Sequence, residues 1–257
     1  MALILIDPGA VEKYLKMEIE GGSGTGKSHT MLLLMDHLAK LFGYKREQLA
    51  IVDSEYGRII KKPRNMWEGF KYFKLDHPTF EDYREALVQS YKMGVKIIGF
   101  DSFSHAYKAY IEKGQAKGGN YASWGEANKA WEYLMEAVNK SPLHILVTAR
   151  LEEKVEVSQI EDSKGNKKTN VVKLGLNPEL RKGSAYDFDL CLRMEIIGKV
   201  HTGTFIKDNN HWGLQDQEFE FPGERLAGIL HEKMKDTMNT AVTPKAEAEA
   251  TDGNTGN

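Results

Sequence analysis

A single cysteine, Cys191, stands in 257 residues, so no intrachain disulfide can form and a reducing compartment follows most simply. Long apolar runs are missing too: none approaches the ~18 residues a membrane span needs. The apolar start Met1 to Ile6 has no basic region before it and is too short for a signal segment, so the expected location is cytoplasmic, with no membrane partner. Charge of one sign is also absent in bulk. The formal net charge of −2 excludes a global basic field, and any nucleic-acid contact has to come from a local patch. No internal repeat is found. What remains is ordinary for a globular α/β protein, with 41% hydrophobic and 10% aromatic residues.

Against that background one stretch is specific. Gly21, Gly22, Ser23, Gly24, Thr25, Gly26, Lys27 and Ser28 fit G-x-x-x-x-G-K-[ST] in full, with His29 next in line. The stretch Tyr14 to Glu20 before it reads as a strand. Ser28 to Phe42 after it carries Met31, Leu34, Met35, Leu38 and Leu41 at helical spacing, ended by Gly43. Glycines let backbone N–H groups converge on phosphates, and a helix start favours the anion. Lys27 is then expected on the β- and γ-phosphates and Ser28 on Mg²⁺, with ATP as the nucleotide.

Downstream the chain alternates. Strands are expected at Gln48 to Glu55, Phe70 to Leu75 (edge-like, with interleaved lysines), Val95 to Ser102 and His144 to Arg150. Helices are expected from Thr79 to Gly94, from Ser104 to about Lys113, and from a Ser123–Glu126 capping box to Lys140, with a loop at Gly114 to Asn120 between the last two. This order predicts a mostly parallel sheet flanked by helices. In such sheets ligands bind beyond the carboxyl ends of the strands, which puts Glu55 and Asp101 on the rim of the phosphate loop. Asp101 closes an apolar strand, so it either orders the metal beside Ser28 or caps the next helix.

After Leu151 the texture changes. Alternating segments at 154–160 and 171–174 flank the charged turn 161–170 and read as a hairpin or flap over about 151–186. Lys154, Lys164, Lys167, Lys168, Lys173, Arg181 and Lys182 stand there against Glu152, Glu153, Glu156, Glu161, Asp162 and Glu179, so the flap is nearly neutral. It is either a solvated hairpin or a contact for single-stranded DNA. Tyr121, Trp124 and Trp131 either stack on bases or pack inside, and Tyr56 or Arg58 is a candidate for stacking on the nucleobase. Strands at 187–197 and 200–206, a helix at 223–236 and a disordered tail over 237–257 complete the chain.

Together, Gly21 to Ser28, Ile51-Val-Asp-Ser-Glu55 and Ile97-Ile-Gly-Phe-Asp-Ser102 resemble the RecA-like P-loop ATPase core. AAA+ proteins carry a glutamate directly after the strand-end aspartate, where this chain has Ser102, and the serine speaks against them. The resemblance covers about residues 13–206 and implies Glu55 as the residue that activates water and Asp101 as the Mg²⁺-ordering acid. Where the family places a sensor of the γ-phosphate stands Arg150, with Thr148 as the other candidate. Arg150 either stabilises charge on the phosphoryl group or serves in a salt bridge. With a short arm at 1–12 and the ATPase domain at 13–236, the chain looks like core-only phage ATPases similar to single-strand annealing recombinases. That likeness implies an ATPase of DNA recombination, repair or replication, acting with single-stranded DNA, as a homo-oligomer or with replication or recombination proteins. The alternatives are a nucleotide-kinase-type phosphotransferase, for which Arg181 and Arg193 are too few and too scattered to make a lid, and a regulatory or packaging subunit.

Overall fold

The computed structural model describes residues 13–116, 121–161, 167–180 and 183–239. The arm at 1–12, the turn residues 162–166 and Arg181 and Lys182 lie outside them, as does the tail from 240 onward. Among the described residues nine strands follow one another as β1 Lys16–Gly21, β2 Leu49–Asp53, β3 Lys71–Lys74, β4 Ile97–Asp101, β5 His144–Glu161, β6 Lys167–Pro178, β7 Leu190–Ile197, β8 Val200–Asp208 and β9 Glu218–Glu220. The helices are α1 Lys27–Phe42, α2 Phe80–Lys92, α3 Phe103–Ala116, α4 Tyr121–Lys140 and α5 Glu224–Asn239.

The sheet order is β3-β2-β4-β5-β1-β7-β8-β9, with β6 paired to the outer part of β5. Strands β3 through β7 along this path run parallel, and β8 and β9 are antiparallel. β3 is an edge, as its lysines suggest, since charge on an unpaired edge discourages pairing with another chain. Both faces of the parallel part are covered. Met17 and Ile19 of β1 meet Met31, Leu34 and Leu38 of α1 and Leu226 and Leu230 of α5 in one core. Ile98, Phe100, Ile145 and Val147 meet Tyr83, Phe103, Trp131 and Leu134 in the other. Burial on both faces is why β2, β4 and the start of β5 read as unbroken apolar runs. No helix among the described residues is long and apolar enough to cross a membrane.

Several expectations shift. α3 runs through Gly114 to Ala116, so the loop expected from Gly114 does not start there, and residues 117–120 lie outside the described chain. α4 starts at Tyr121, which places Ser123 inside the helix rather than at its cap. The Ser-x-x-Glu spacing fits a first turn as well as a cap, and Asn120 just before Tyr121 is itself a favoured helix-opening type. The strand expected to end at Arg150 continues unbroken to Glu161 and pairs with β6, giving the hairpin reading its backbone. A 3-10 turn at Ser184–Asp187 delays β7 to Leu190. α5 takes in 237–239, the first residues of the expected tail. β9 has no counterpart in the sequence reading. Trp131 is fully buried, its indole N–H donating to Asp187 Oδ2 at 2.8 Å, so it packs in the core rather than stacking on bases. The side chains of Tyr121 and Trp124 lie outside the described residues.

At the far end of the sheet from the phosphate loop, His144 ties β5 to the chain entering β1. Its Nδ1 accepts from the Leu15 N–H at 3.2 Å and its ring stacks on Phe42 with centroids 4.9 Å apart. Burial, then Lys16 and Lys96, depresses its pKa to about 4. The folded pKa lies below the unfolded value near 6.5, so this contribution is fully present above pH 6.5. It is lost as pH falls toward 4, on the order of 3 kcal/mol in all. Unfolding titrations at pH 7 and pH 4.5 should therefore show a larger acid loss for the wild type than for His144→Gln. Equal losses would show that His144 does not set the acid limit.

Candidate active site

The phosphate loop is built by close approach. β1 is buried along its length, and at Gly21 an added Cβ would sit 2.6 Å from both the Met194 carbonyl oxygen and Thr25 Oγ1, so only glycine passes. Gly26 caps α1 at φ +98°, a left-handed conformation glycine adopts at no steric cost. Thr25 closes the turn through its Oγ1 and N–H, both donating to the Gly22 carbonyl, at 2.9 and 3.5 Å. Lys27 Nζ donates to that same carbonyl at 2.7 Å. Burial lowers the Lys27 pKa, with Asp101 and Glu55 acting the other way.

Beyond the loop lies a cavity of about 450 Å³ whose lining includes Ser23, Lys27, Ser28, Glu55, Arg58 and Arg150. β2 ends at Asp53, whose Oδ1 accepts the Glu55 N–H at 2.7 Å and so fixes the turn that presents Glu55. Glu55 is almost wholly buried. Its carboxylate accepts from Arg150 Nε at 2.9 Å and from Arg58 Nη1 at 3.1 Å, and Arg150 Nη2 lies 2.8 Å away. Burial pushes its pKa up, but Arg150, then His105 and Arg58, outweigh this and hold the carboxyl below its ordinary range. It is therefore ionised at neutral pH.

Asp101 ends β4 at 1% exposure. Thr148 Oγ1 donates to its Oδ1, while Oδ2 is buried with no hydrogen-bond partner. Burial raises its pKa to about 6, against the Thr148 and Ser28 hydroxyls. Of the two sensor candidates, Thr148 faces Asp101 and Arg150 lines the cavity while pairing with Glu55. Among the described residues no group of three His, Cys, Asp or Glu gathers to hold a metal. Serine, a buried aspartate with an unpartnered oxygen, and phosphates suit Mg²⁺, which keeps several waters and is bound by one or two carboxylates plus phosphates.

Behind Glu55 a polar network braces the strand ends. Ser54 Oγ accepts from the Ser102 N–H at 3.0 Å and from Tyr83 Oη at 3.1 Å, and Ser102 Oγ donates to Glu55 at 3.4 Å. Glu152 and Glu179, which the sequence reading counted only as flap charge, line the same cavity. Arg58 is engaged on the Glu55 side, and Tyr56 stands with its ring 6.0 Å from His105. Arg193 is paired with Glu20 at 2.6 Å, and Arg181 lies outside the described residues. The backbone of the β5–β6 hairpin starts at this cavity, since Leu151, directly after Arg150, pairs with Pro178. The side chains of Lys154, Lys167, Lys168 and Lys173 are outside the described residues, as is Lys164 altogether.

A second cavity, of about 370 Å³, lies on the other flank of the loop. His29, grouped by sequence with the phosphate contacts, lines this one together with His201, Phe221 and Pro222. No sequence signal pointed to His201 or Phe221, because antiparallel strands bring them from more than 170 residues away.

Compared with known families, residues 13–219 match the model described as AAA domain. No curated protein matches the chain. The family match runs against the expectation drawn from Ser102, which set the chain apart from AAA+ proteins. That expectation does not stand at the level of the family; of the three glutamates lining the cavity, Glu55 lies two residues beyond β2 and none directly follows Asp101.

Proposed function

The chain belongs to the AAA domain family, whose domain binds and hydrolyses ATP, and from that premise we propose a Mg²⁺-dependent, RecA-like ATPase that works on single-stranded DNA. The observation that carries the hydrolytic part is the convergence of Lys27, Ser28, Glu55 and Arg150 from three chain segments on one cavity, with Asp101 buried behind it against Ser28 and Thr148. Ser28 and Asp101 would hold Mg²⁺, which neutralises charge on the phosphates when bound.

The chain's own groups then divide the work. Backbone N–H groups of Gly22 to Ser28 and Lys27 hold the β- and γ-phosphates. Paired with Arg150, the Glu55 carboxylate is neutralised, which makes it a poor base. A γ-phosphate entering the cavity competes for that guanidinium, and as Arg150 turns toward the phosphate the basicity of Glu55 recovers. Glu55 then orients the attacking water and takes its proton. Arg150 thus serves both Glu55 as a salt-bridge partner and the γ-phosphate as a charge-stabilising one.

The support for single-stranded DNA is the cation-bearing hairpin rooted in the same strand as Arg150, where the RecA-like resemblance implies a mobile DNA-binding loop. ATP turnover by the full chain should rise when oligothymidylate is added. Binding should weaken with salt at a log–log slope of about −3 for four phosphates neutralised. Unchanged turnover with salt-insensitive binding would exclude the DNA role, and phosphate transfer to a nucleoside monophosphate would exclude the hydrolase reading in favour of a kinase.

A further inference from the structure

The nucleotide reading accounts for the cavity that holds Glu55 and leaves the 370 Å³ cavity on the opposite flank without a role. The two meet at Gly24, Gly26 and Lys62, which line both. They are therefore successive chambers around one phosphate loop. Their chemistry differs. The first is rimmed by Lys27, Glu55, Arg58, Arg150, Glu152 and Glu179, and the second by Leu33, Phe221, Pro222 and two imidazoles.

A nucleoside triphosphate has the same polarity, charged at one end and a flat, mostly apolar ring at the other. With the γ-phosphate facing Glu55 and Arg150 on the β5 side of β1, the nucleoside has to leave on the β7 side. β8, the strand beyond β7, carries His201 there. The ring of His201 rests on the loop itself: its Nδ1 donates to the Thr25 carbonyl at 2.9 Å, and a Cβ on Gly26 would come within 3.1 Å of that nitrogen. Phe221 stands beside it, with ring centroids 6.3 Å apart and planes at 56°.

Phe221 is 64% exposed and holds φ at +45°, a conformation phenylalanine rarely adopts, pinned by its N–H donating to the His201 carbonyl at 2.8 Å. An exposed aromatic in a strained turn beside an open cavity is unexplained by packing. Strain of this kind clusters at ligand clamps.

We propose that this second cavity is the nucleobase subsite, with the base of the nucleotide stacked on Phe221 against His201 and His29. The assignment rests on the nucleotide reading above and adds to it the residues that grip the nucleoside end. Stacking on an aromatic ring tolerates any base, so the subsite supplies affinity more than base choice.

The test compares ligands with and without a base. Titrations of the full chain with ADP and with inorganic tripolyphosphate should give Phe221→Ala at least about fivefold weaker ADP binding, with tripolyphosphate unchanged. Phe221→Trp should keep the ADP affinity, and His201→Ala should weaken ADP more than tripolyphosphate. Phe221 is exposed, so both of its variants should melt as the wild type does. Equal ADP affinity in the wild type, Phe221→Ala and His201→Ala would overturn the subsite while leaving the phosphate site standing. Wild-type protein that binds neither ligand would overturn the nucleotide reading itself.

Discussion

Glu55→Gln is expected to leave ATP bound and to slow its hydrolysis by about 10²- to 10⁴-fold, the range that a positioned general base contributes. The substitution keeps the shape of the side chain and its place on the turn, because the contact that fixes the turn runs from the backbone N–H of Glu55 to Asp53 Oδ1, a bond that glutamine also makes. What changes is charge. Glutamine can still accept from Arg150, but it cannot draw a proton from water. Two guanidiniums that faced a carboxylate now face a neutral amide, so ATP should bind as tightly as before or more tightly. Single-turnover phosphate release beside an ATP titration separates the two effects. Turnover at the wild-type rate would remove Glu55 from the chemistry and direct attention to Glu152 or Glu179 on the same cavity.

Lys27→Ala should fail one step earlier. It removes the ammonium expected on the β- and γ-phosphates, and charge-assisted hydrogen bonds of that kind contribute about 1.5–3 kcal/mol, so ATP affinity should fall by roughly 10- to 150-fold. The loop itself should survive. The Gly22 carbonyl that Lys27 contacts also accepts both the Oγ1 and the N–H of Thr25, which hold the turn without it. A melting temperature close to that of the wild type, with ATP binding lost, is the expected pair of results. A large fall in stability would mean that Lys27 acts in folding, and ATP affinity within twofold of the wild type would mean that the phosphates bind elsewhere.

The parts of the site legible in the sequence are those fixed by local rules. Gly21 and Gly26 are demanded by backbone approach and by a left-handed turn, so the loop announces itself within eight residues. Glu55 and Asp101 follow from a single inference, that apolar strands of a parallel sheet end on one rim. Roles that depend on which side chains meet were not legible. Arg150 and Thr148 sit two residues apart on one strand, and only the packed structure shows that one faces Glu55 and the other Asp101. His201 and Phe221 reach the loop through β7, β8 and the turn after β9, a long-range route that leaves no short motif. The misplaced cap at Ser123 is the opposite case, a short motif that is present and that the helix simply passes through.

β5 joins two places that the sequence reading treated apart. Its first residues lie between β4 and β1 at the centre of the sheet, and its last pair at the far end of the hairpin, Glu161 opposite Lys167. Glu161 lies eleven residue steps beyond Arg150, a span of about 36 Å at ~3.3 Å per residue. The strand thus runs from the Arg150–Glu55 pair at the cavity out to the far end of the hairpin. At that length a tilt of about 5° at the base would carry the tip some 3 Å, roughly two-thirds of the ~4.8 Å between neighbouring strands. The pairing irregularity at Lys154/Val155 is where such a strand bends, so that one register shift sets the direction in which the far end projects from the cavity.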